Sequence, residues 1–194
     1  MTRWTALVPL KLGPVGKSRL ASALSEGERR SLVGQLAQHV ITQVAQVPAI
    51  GEIVVISRNI LPDLPVHHLP DQGRGLNGEL DHAASLLGGN LLVIHADLPL
   101  VQANDITELL DAAQASGAAI GPDRHGSGTN ALALAPMRAG FRFAFGPGSF
   151  AAHWLALEGE LAIVQLGGLV CDIDTPSDLA FARSHQNELL RAEI

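Results

Sequence analysis

Apolar residues along the chain form two alternating patterns: short continuous runs, and longer stretches in which apolar residues recur every three or four positions. The short runs are typical of strands buried on both faces of a sheet, and the longer stretches are typical of amphipathic helices. The predicted strands cover residues 4–10, 52–57, 64–70, 90–99, 117–121, 129–135, 161–166 and 169–174. The predicted helices cover residues 27–47, 75–89, a segment beginning near 105, 148–159 and 175–190.

This alternation predicts an α/β fold, a Rossmann-like three-layer sandwich with a mostly parallel sheet and helices on both faces. We expect one domain over residues 1–194, because a chain of this length buries an adequate core and no linker or repeat interrupts it. In such sheets, ligands bind beyond the carboxyl ends of the strands. The loops that follow the strands are therefore where a functional site is expected.

Two of the predicted helices begin with capping signals. Asp105 and Glu108 are predicted to form the capping box of one helix. Thr175, Pro176 and Asp178 are predicted to open the last helix as its N-cap, its first residue and its capping partner. Asp178 is therefore interpreted as a structural residue.

Composition and charge exclude several classes of protein. The net charge of −6 argues against a surface that binds nucleic acid. The N-terminal apolar stretch is too short for a signal peptide, and no apolar run is long enough to cross a membrane. The single cysteine, Cys171, allows no internal disulfide and is typical of a reducing compartment. We expect a cytoplasmic protein, and a homodimer is compatible with the sequence.

The segment "KLGPVGKSRL", residues 11–20, contains the only two lysines of the chain. A Walker loop requires G-x-x-x-x-G-K-[ST], but Lys11 stands where the first glycine belongs, and Pro14 lacks a backbone donor. The segment is therefore not a P-loop. A basic loop between a strand and a helix start still favours an anionic ligand, although a solvated basic turn is the alternative. Lys11, Lys17 and Arg19 are the candidate ligand-binding residues.

Three aspartates follow predicted strands. Asp97 ends the run "LLVIHADLP", and Asp172 and Asp174 lie in "LVCDIDTP". Residues two apart on a strand face the same side, so the latter two carboxylates are expected to converge. Carboxylates grouped beside a lysine-bearing loop would repel one another without a cation. So few oxygen ligands favour Mg²⁺, which keeps several water ligands and completes its coordination with substrate phosphates. Ordinary turn residues are the alternative interpretation.

The loop "DQGRGLNGEL", residues 71–80, combines amide side chains with glycine. The amides of Gln72 and Asn77 can match the donor and acceptor edge of a purine, and Gly73 permits a close backbone approach. Turn chemistry explains the same residues equally well. These three residues are therefore candidates for binding a nucleotide base.

A second anion site is predicted where "FGPGSF" opens a helix. Ser149 begins this helix behind Gly146, and Thr129 in "DRHGSGTNAL" supplies a hydroxyl group to the same ligand. A hairpin loop and a capped helix are the alternative. His95, in a predicted strand, and His153, in a predicted helix, are expected to be structural.

Taken together and in order, several motifs resemble the CofC or FbiD family, the guanylyltransferases of coenzyme F420 biosynthesis. The family belongs to the nucleotide-diphospho-sugar transferase fold. The resemblance extends from about residue 6 to 181 and is carried by "VPLK…KSRLA", "DQGRGLN", "HADLPL", "GTNAL", "FGPGSF" and "CDIDTPSDL".

The resemblance implies the transfer of GMP from GTP to a small phosphorylated acid, with release of pyrophosphate. The acceptor would be phosphoenolpyruvate or 2-phospho-L-lactate, with 3-phospho-D-glycerate as the alternative. The product would pass to a downstream transferase that joins it to the deazaflavin precursor. By motif, Mg²⁺ would be held by Asp97, Asp172 and Asp174. The acceptor acid would be contacted by Thr129, Gly146 and Ser149.

The reaction so implied needs little covalent help from the protein, because positioning and charge neutralisation carry it. The residues expected to stabilise the triphosphate and the departing pyrophosphate are Lys11, Lys17 and Arg19. The residues expected to bind GTP are Lys11, Lys17, Gln72, Gly73 and Asn77.

Other functions remain as alternatives. A molybdopterin or sugar-phosphate nucleotidyltransferase would use the same fold, and a small glycosyltransferase would use "DID" as its metal motif. A non-catalytic nucleotide-binding module would keep the cleft without turnover.

Overall fold

The computed structural model of the protein describes residues 3–10, 17–59 and 65–185. Within these residues the strands are β1 (Trp4–Pro9), β2 (Ile50–Ser57), β3 (His67–Pro70), β4 (Asn90–Ile94), β5 (Ala118–Pro122), β6 (Thr129–Leu134) and β7 (Ala162–Ile163). The α-helices are α1 (Glu26–Ala45), α2 (Gly75–Leu87), α3 (Ala103–Ser116), α4 (Ser149–Ala156), α5 (Gly167–Val170) and α6 (Pro176–Ser184). A short 3-10 helix at Ser18–Ser22 precedes α1. Residues 186–190 of the predicted last helix lie outside the described residues.

The strands form one sheet in the order β3-β2-β1-β4-β6-β5-β7. Neighbouring strands are parallel except at β6, which runs antiparallel to both β4 and β5. The loop 123–128 between β5 and β6 is too short for a crossover helix, so these two strands pair as a hairpin. The predicted mostly parallel sheet is confirmed.

Alternate residues of β1 show how both faces of the sheet are covered. Ala6 and Val8 pack into the apolar layer that contains α1 and α3, whereas Leu7 between them packs into the layer that contains α2. The side chains predicted for the inner face of α3 are buried: Ile106, Leu109, Leu110 and Ala113. The three-layer arrangement is therefore confirmed.

The prediction of a strand over residues 169–174 is wrong. Its first residues belong to α5, and residues 171–175 are extended without joining the sheet. Leu169, Cys171 and Ile173 are nonetheless buried in alternation, as in a strand. The burial pattern is therefore that of a strand. The backbone, however, makes a single described hydrogen bond to the turn after β4, from the Ile173 N–H to the Asp97 carbonyl (3.2 Å).

Two other predicted strands are shorter than expected. β4 ends at Ile94 and does not reach Asp97, which lies in the turn beyond it. The strand predicted over 161–166 is reduced to the two residues of β7. Apolar runs continue past the strand ends because the following loop residues are also buried, among them Ala96 and Leu98.

The capping predictions have different outcomes. The N-cap of α3 is Gln102, whose backbone N–H donates to Asp105 Oδ2, whereas Glu108 accepts instead from Asn104. The predicted pairing of Asp105 with Glu108 is therefore wrong by one turn. For α6 the prediction is confirmed, because its N-cap Thr175 and its third residue form a capping box with proline at the start. No helix within the described ranges is long and apolar enough to cross a bilayer.

Candidate active site

A cleft of about 370 Å³ lies at the carboxyl ends of the central strands. Its walls include the end of β1, the start of α2 and the turn after β4. The side chains that bring charge or polarity to it are Lys17, Asp71, Glu79, His95, Asp97 and Asp174. The cleft therefore lies where a parallel sheet is expected to bind its ligand.

Lys17 joins two of the predicted metal-binding aspartates. Its ammonium group donates a short hydrogen bond to Asp97 Oδ2 and another, of 2.8 Å, to Asp174 Oδ1. The Lys17 side chain is only 12% exposed. Burial alone would lower its pKa, but the charges and hydrogen bonds of the two carboxylates outweigh burial and raise the pKa. Lys17 is therefore charged at neutral pH.

The backbone of Lys17 is itself unusual. Its φ angle is 55° and its ψ angle is 41°, a left-handed conformation that a residue with a side chain seldom adopts. Such strain is maintained where surrounding contacts require it, and the two carboxylates supply such contacts here. Arg19, two residues further along the chain, lies 3.8 Å from Asp174, and its side chain is 74% exposed. Lys11 lies outside the described residues.

Among the described residues, only two basic side chains, Lys17 and Arg19, form ion pairs with the three aspartates. Burial works to raise the pKa of Asp97, but the Lys17 charge lowers it. Burial, and then the negative charges of Asp97 and Asp174, raise the pKa of Asp172. Asp97 Oδ1 is buried and has no hydrogen-bond partner among the described residues.

An excess of carboxylate charge and an unpartnered buried carboxylate oxygen fit a divalent cation. As the described side chains stand, however, no group of three His, Cys, Asp or Glu is arranged to hold one. The Lys17 ammonium group contacts both Asp97 and Asp174. These two carboxylates would therefore have to release Lys17, at least in part, to bind a metal ion.

Asn130 orients the third aspartate, and the sequence carried no clear signal for it. The residue is buried, and its Nδ2 donates to the Leu169 carbonyl (3.0 Å) and to Asp172 Oδ1 (3.3 Å). One amide on β6 thus connects the end of α5 with a predicted metal ligand.

The predicted base-binding loop is organised by Glu79, which sequence reasoning did not select. The Glu79 carboxylate is 3% exposed and accepts hydrogen bonds from the backbone N–H groups of Gln72 and Arg74 and from the Arg74 guanidinium group, at 2.8–2.9 Å. Burial would raise its pKa, but these hydrogen bonds overcome that effect and lower it. Gln72 Oε1 accepts from Arg74 Nη2 (2.7 Å), and Gly73 has the positive φ angle of 86° that only glycine adopts freely.

Asn77, the third predicted base-binding residue, faces a different partner. Its Nδ2 donates to the carbonyl of Phe145, and its Oδ1 accepts from the N–H of the same residue. The amide therefore joins α2 to the segment that precedes α4.

The predicted acceptor-binding residues lie together around the start of α4. Ser149 is the first residue of the helix, and Gly146, three residues before it, has a φ angle of 126°. Phe150, the residue after Ser149, donates its N–H to the Ser127 carbonyl (3.2 Å). This hydrogen bond holds the loop before β6 against the helix. Thr129 Oγ1 lies 3.0 Å from Nδ1 of His153, one turn along α4.

A chain of ring contacts connects this region with the aspartates. The His95 ring lies 5.2 Å from the Phe145 ring, which in turn contacts His153 edge-on at 4.8 Å. His153 is fully buried, which is consistent with the expected structural role. His95 differs from the expectation of a satisfied core histidine, because it lines the cleft and its Nε2 is buried without a partner among the described residues.

Comparison with known proteins places the chain among nucleotidyltransferases. Residues 4–189 match the family described as CofC-like guanylyl transferases. A phosphoenolpyruvate guanylyltransferase of Sphaerobacter thermophilus is 37% identical, with 93% of this chain and 92% of that protein aligned. The enzyme of the same name from Rubrobacter xylanophilus is 34% identical, with 90% and 91% aligned.

Solved structures agree on the fold. A protein of Desulfovibrio desulfuricans assigned as a nucleotide-diphospho-sugar transferase superimposes with a TM-score of 0.74 at 19% identity, over 100% of this chain and 92% of that one. A nucleotidyl transferase from Methanothermobacter superimposes with a TM-score of 0.67 at 15% identity, over 98% and 99%. At these identities the similarity establishes the fold.

Proposed function

The chain belongs to the family of CofC-like guanylyl transferases, and from this membership we propose that it transfers GMP from GTP to phosphoenolpyruvate and releases pyrophosphate. The acceptor is chosen because relatives aligned over nearly their whole length bear the name phosphoenolpyruvate guanylyltransferase. We extend the proposal to coenzyme F420 biosynthesis, in which a downstream transferase would consume the guanosine diphospho-acid.

The observation that carries the proposal is the contact of Lys17 with both Asp97 and Asp174 at the cleft. A charged lysine among carboxylates supplies a mobile positive charge beside groups suited to a metal ion. A nucleoside triphosphate such as GTP brings negative charge to the same place and attracts the ammonium group. The site therefore combines the two features that the transfer of a nucleotidyl group requires, a positive point charge and carboxylate oxygens.

In the proposed reaction, an oxygen of the acceptor phosphate attacks the α-phosphorus of GTP in line. A new phosphorus–oxygen bond forms as the bond from the α-phosphorus to the oxygen bridging to the β-phosphate breaks, and pyrophosphate leaves with the electron pair. No general base is needed, because the acceptor phosphate is already ionised near neutral pH. Lys17 and Arg19 stabilise the charge that builds on the leaving group, and Lys11 remains a predicted contributor.

We propose Mg²⁺ as the cofactor, held by Asp97, Asp172 and Asp174. The ion would neutralise the phosphate oxygens of the nucleotide while the reacting groups are brought together. The burial of Asp97 and the amide of Asn130 keep two of these carboxylates in place. The third, Asp174, is half exposed and would be the most mobile ligand.

The two substrates are assigned to two neighbouring loops beside this centre, which Asn77 and Phe145 join. The base of GTP is placed against the loop that Glu79 organises, with Gln72, Gly73 and Asn77 as its predicted contacts. The acceptor acid is placed at the start of α4, beside the buried hydroxyl groups of Thr129 and Ser149 and the open space next to Gly146. Both placements remain proposals that follow from the resemblance and from the arrangement of the loops.

The test is pyrophosphate release from the purified protein with GTP and Mg²⁺, offering phosphoenolpyruvate, 2-phospho-L-lactate and 3-phospho-D-glycerate separately. A parallel series contains the downstream transferase and its deazaflavin acceptor, so that product inhibition does not mask turnover. We expect release with phosphoenolpyruvate that is lost in Asp174→Asn. Release with another acid alone would overturn the choice of acceptor, and no release with any acid would overturn the guanylyl transfer.

A further inference from the structure

We propose that His153 is a positioning residue that directs the hydroxyl hydrogen of Thr129 towards the bound phospho-acid. This inference rests on the proposed function and deepens it, because it assigns a donor at the acceptor site and explains how its direction is set. His153 itself is fully buried on α4 and would not touch the substrate.

The backbone of Ala144 determines which ring nitrogen of His153 carries the hydrogen. The Ala144 N–H lies 3.0 Å from Nε2. A backbone N–H can only donate, so Nε2 must be the unprotonated acceptor. In a neutral imidazole the hydrogen is then on Nδ1, which lies 3.0 Å from Thr129 Oγ1.

The direction of the second hydrogen bond follows from the first. Nδ1 donates, so the Thr129 oxygen accepts, and the Thr129 hydroxyl hydrogen must point to another acceptor. Within residues 3–10, 17–59 and 65–185, Thr129 Oγ1 makes no hydrogen bond other than the one to His153. Thr129 is thereby left as a donor, the role that carboxylate and phosphate oxygens of a phospho-acid require of their partners.

The surroundings of His153 maintain this neutral tautomer. The rings of Phe141 and Phe145 lie against it, with centroids at 6.2 Å and 4.8 Å. Burial lowers the pKa of His153 to about 4, and the neighbouring His95 acts in the same direction. A protonated ring would also lose the acceptor for the Ala144 N–H. The imidazole therefore remains neutral while an anionic substrate binds next to it.

His153 also ties together the two segments that form the predicted acceptor site. Thr129 is the first residue of β6, whereas Ala144 lies two residues before Gly146 in the segment that leads into α4. One imidazole bonded to both fixes the distance between the hydroxyl donor and the glycine-bearing loop. A residue with only one of the two hydrogen bonds would remove one attachment between these segments and leave the one from the Phe150 N–H to the Ser127 carbonyl.

Two substitutions separate the two hydrogen bonds. His153→Asn places an amide nitrogen near the position of Nδ1 and keeps a donor for Thr129, whereas His153→Gln reaches the position of Nε2 and keeps an acceptor for Ala144. We expect His153→Gln to raise the KM for phosphoenolpyruvate about tenfold and to leave the KM for GTP unchanged. His153→Asn should retain a KM for phosphoenolpyruvate within about threefold of the original. His67→Gln, on an exposed side chain of β3, is the control.

A merely structural role would shift both KM values together, or lower the melting temperature without separating the two substrates. Either result overturns the inference, as does an equal KM for phosphoenolpyruvate in the two variants. In a Thr129→Val background, His153→Gln should add no further increase in the KM for phosphoenolpyruvate, and an additive increase contradicts action through Thr129.

A measurement on the unmodified protein keeps the inference testable if the variants do not fold. Long-range proton–nitrogen NMR spectra of protein labelled with ¹⁵N-histidine report which ring nitrogen of His153 is protonated, without any turnover. We expect hydrogen on Nδ1, and hydrogen on Nε2 overturns the inference. This outcome is distinct from failure of the proposed function, which is decided by pyrophosphate release from the same protein.

Discussion

The side-chain amide of Asn77 pairs with the backbone of Phe145 through two hydrogen bonds, with Nδ2 donating to the carbonyl at 2.9 Å and Oδ1 accepting from the N–H at 2.7 Å. The pairing joins α2 to the segment before Gly146 and uses both polar atoms of the amide. Asn77 therefore stabilises the predicted acceptor site directly, and any contact with GTP would have to share or break this pairing.

Replacing Asn77 with alanine should leave two backbone groups of Phe145 without their partners. We expect the free energy of unfolding to fall by about 1–3 kcal/mol and the KM for the phospho-acid to rise more than the KM for GTP. Denaturant unfolding and steady-state kinetics measure both effects. Asn104→Ala, whose side chain bonds only to Glu108 on the exposed face of α3, is the control. A rise confined to the KM for GTP would contradict a role of Asn77 at the acceptor site and support its predicted contact with the base.

Removing the Lys17 ammonium group should abolish most turnover. In Lys17→Ala the buried Asp97 loses its nearest positive charge, and the leaving pyrophosphate loses a stabilising one. We expect kcat to fall by about 10²–10³-fold with the overall fold retained. Arg19→Ala should have a smaller effect, because this side chain is 74% exposed and 3.8 Å from Asp174. Arg30→Ala on α1 is the control, and an unchanged kcat in Lys17→Ala would contradict the assignment.

Metal dependence provides a separate check on the three aspartates. Chelation should abolish activity, and Mg²⁺ added together with GTP should raise the melting temperature, because a ligand that binds only the folded state stabilises it. Asp97→Asn and Asp172→Asn should each reduce this rise. Asp111→Asn, remote on α3, should keep it. Full activity in chelator would exclude the proposed cofactor.

The buried His153 predicts a specific pH dependence of stability. Its pKa is lowered from 6.5 to about 4 in the folded state, so between these values the unfolded chain binds the proton that the folded chain excludes. Stability should therefore be fully present above pH 6.5 and should decrease as the pH falls towards 4, by up to about 3 kcal/mol. Denaturant unfolding across this range should show a shallower decrease in His153→Asn. Parallel curves for the two proteins would contradict a neutral buried imidazole.

Two adjacent glycines test the packing of α5 against α3. A Cβ on Gly168 would lie 2.0 Å from Asp105 Oδ2 and 2.8 Å from the Cα atom of Val101, whereas one on Gly167 would have nothing within 4 Å. We expect Gly168→Ala to lower the free energy of unfolding by about 3 kcal/mol and Gly167→Ala to leave it nearly unchanged. Thermal or denaturant unfolding of the two variants measures the difference in stability. Similar stability in both variants would show that α5 moves freely relative to α3. Turnover should fall with Gly168→Ala as well, because α5 leads into Asp172.

Much of the fold was predictable from local pattern. Helical spacing identified α1, α2 and α3, and continuous apolar runs identified β1 and β2. Each of these helices buries one stripe of side chains and each of these strands is buried on both faces, and this burial largely determines the residue pattern. The segment 169–174 was mistaken for a strand for the same reason. Its residues alternate between buried and partly exposed, but hydrogen bonding between strands, which periodicity does not encode, is absent there.

The residues of the candidate site likewise divide into those that the sequence identified and those that it did not. Lys17, Asp97, Asp172 and Asp174 were identified because charged residues at strand ends stand out from apolar surroundings. Their proximity is consistent with the prediction, and their roles remain to be tested. Glu79, Asn130 and the tautomer of His153 were not identifiable, because the hydrogen bonds that give each its role, to the backbone of Gln72 and Arg74, of Leu169 and of Ala144, depend on how loops and strands pack, which no residue pattern encodes.

Sequence pattern alone was thus enough to predict the layers of the sheet, the edge at which a ligand is expected and the residue types available there. These properties depend on the periodicity of burial and on the chemistry of single side chains. Only the tertiary structure decided which carboxylate contacts Lys17, which amide holds Phe145 and which nitrogen of His153 donates. Those contacts form between residues distant in sequence. Asn77 and Phe145 are 68 positions apart, and Lys17 and Asp174 are 157 positions apart. Their geometry is set by the packing of the whole chain, and no local pattern carries it.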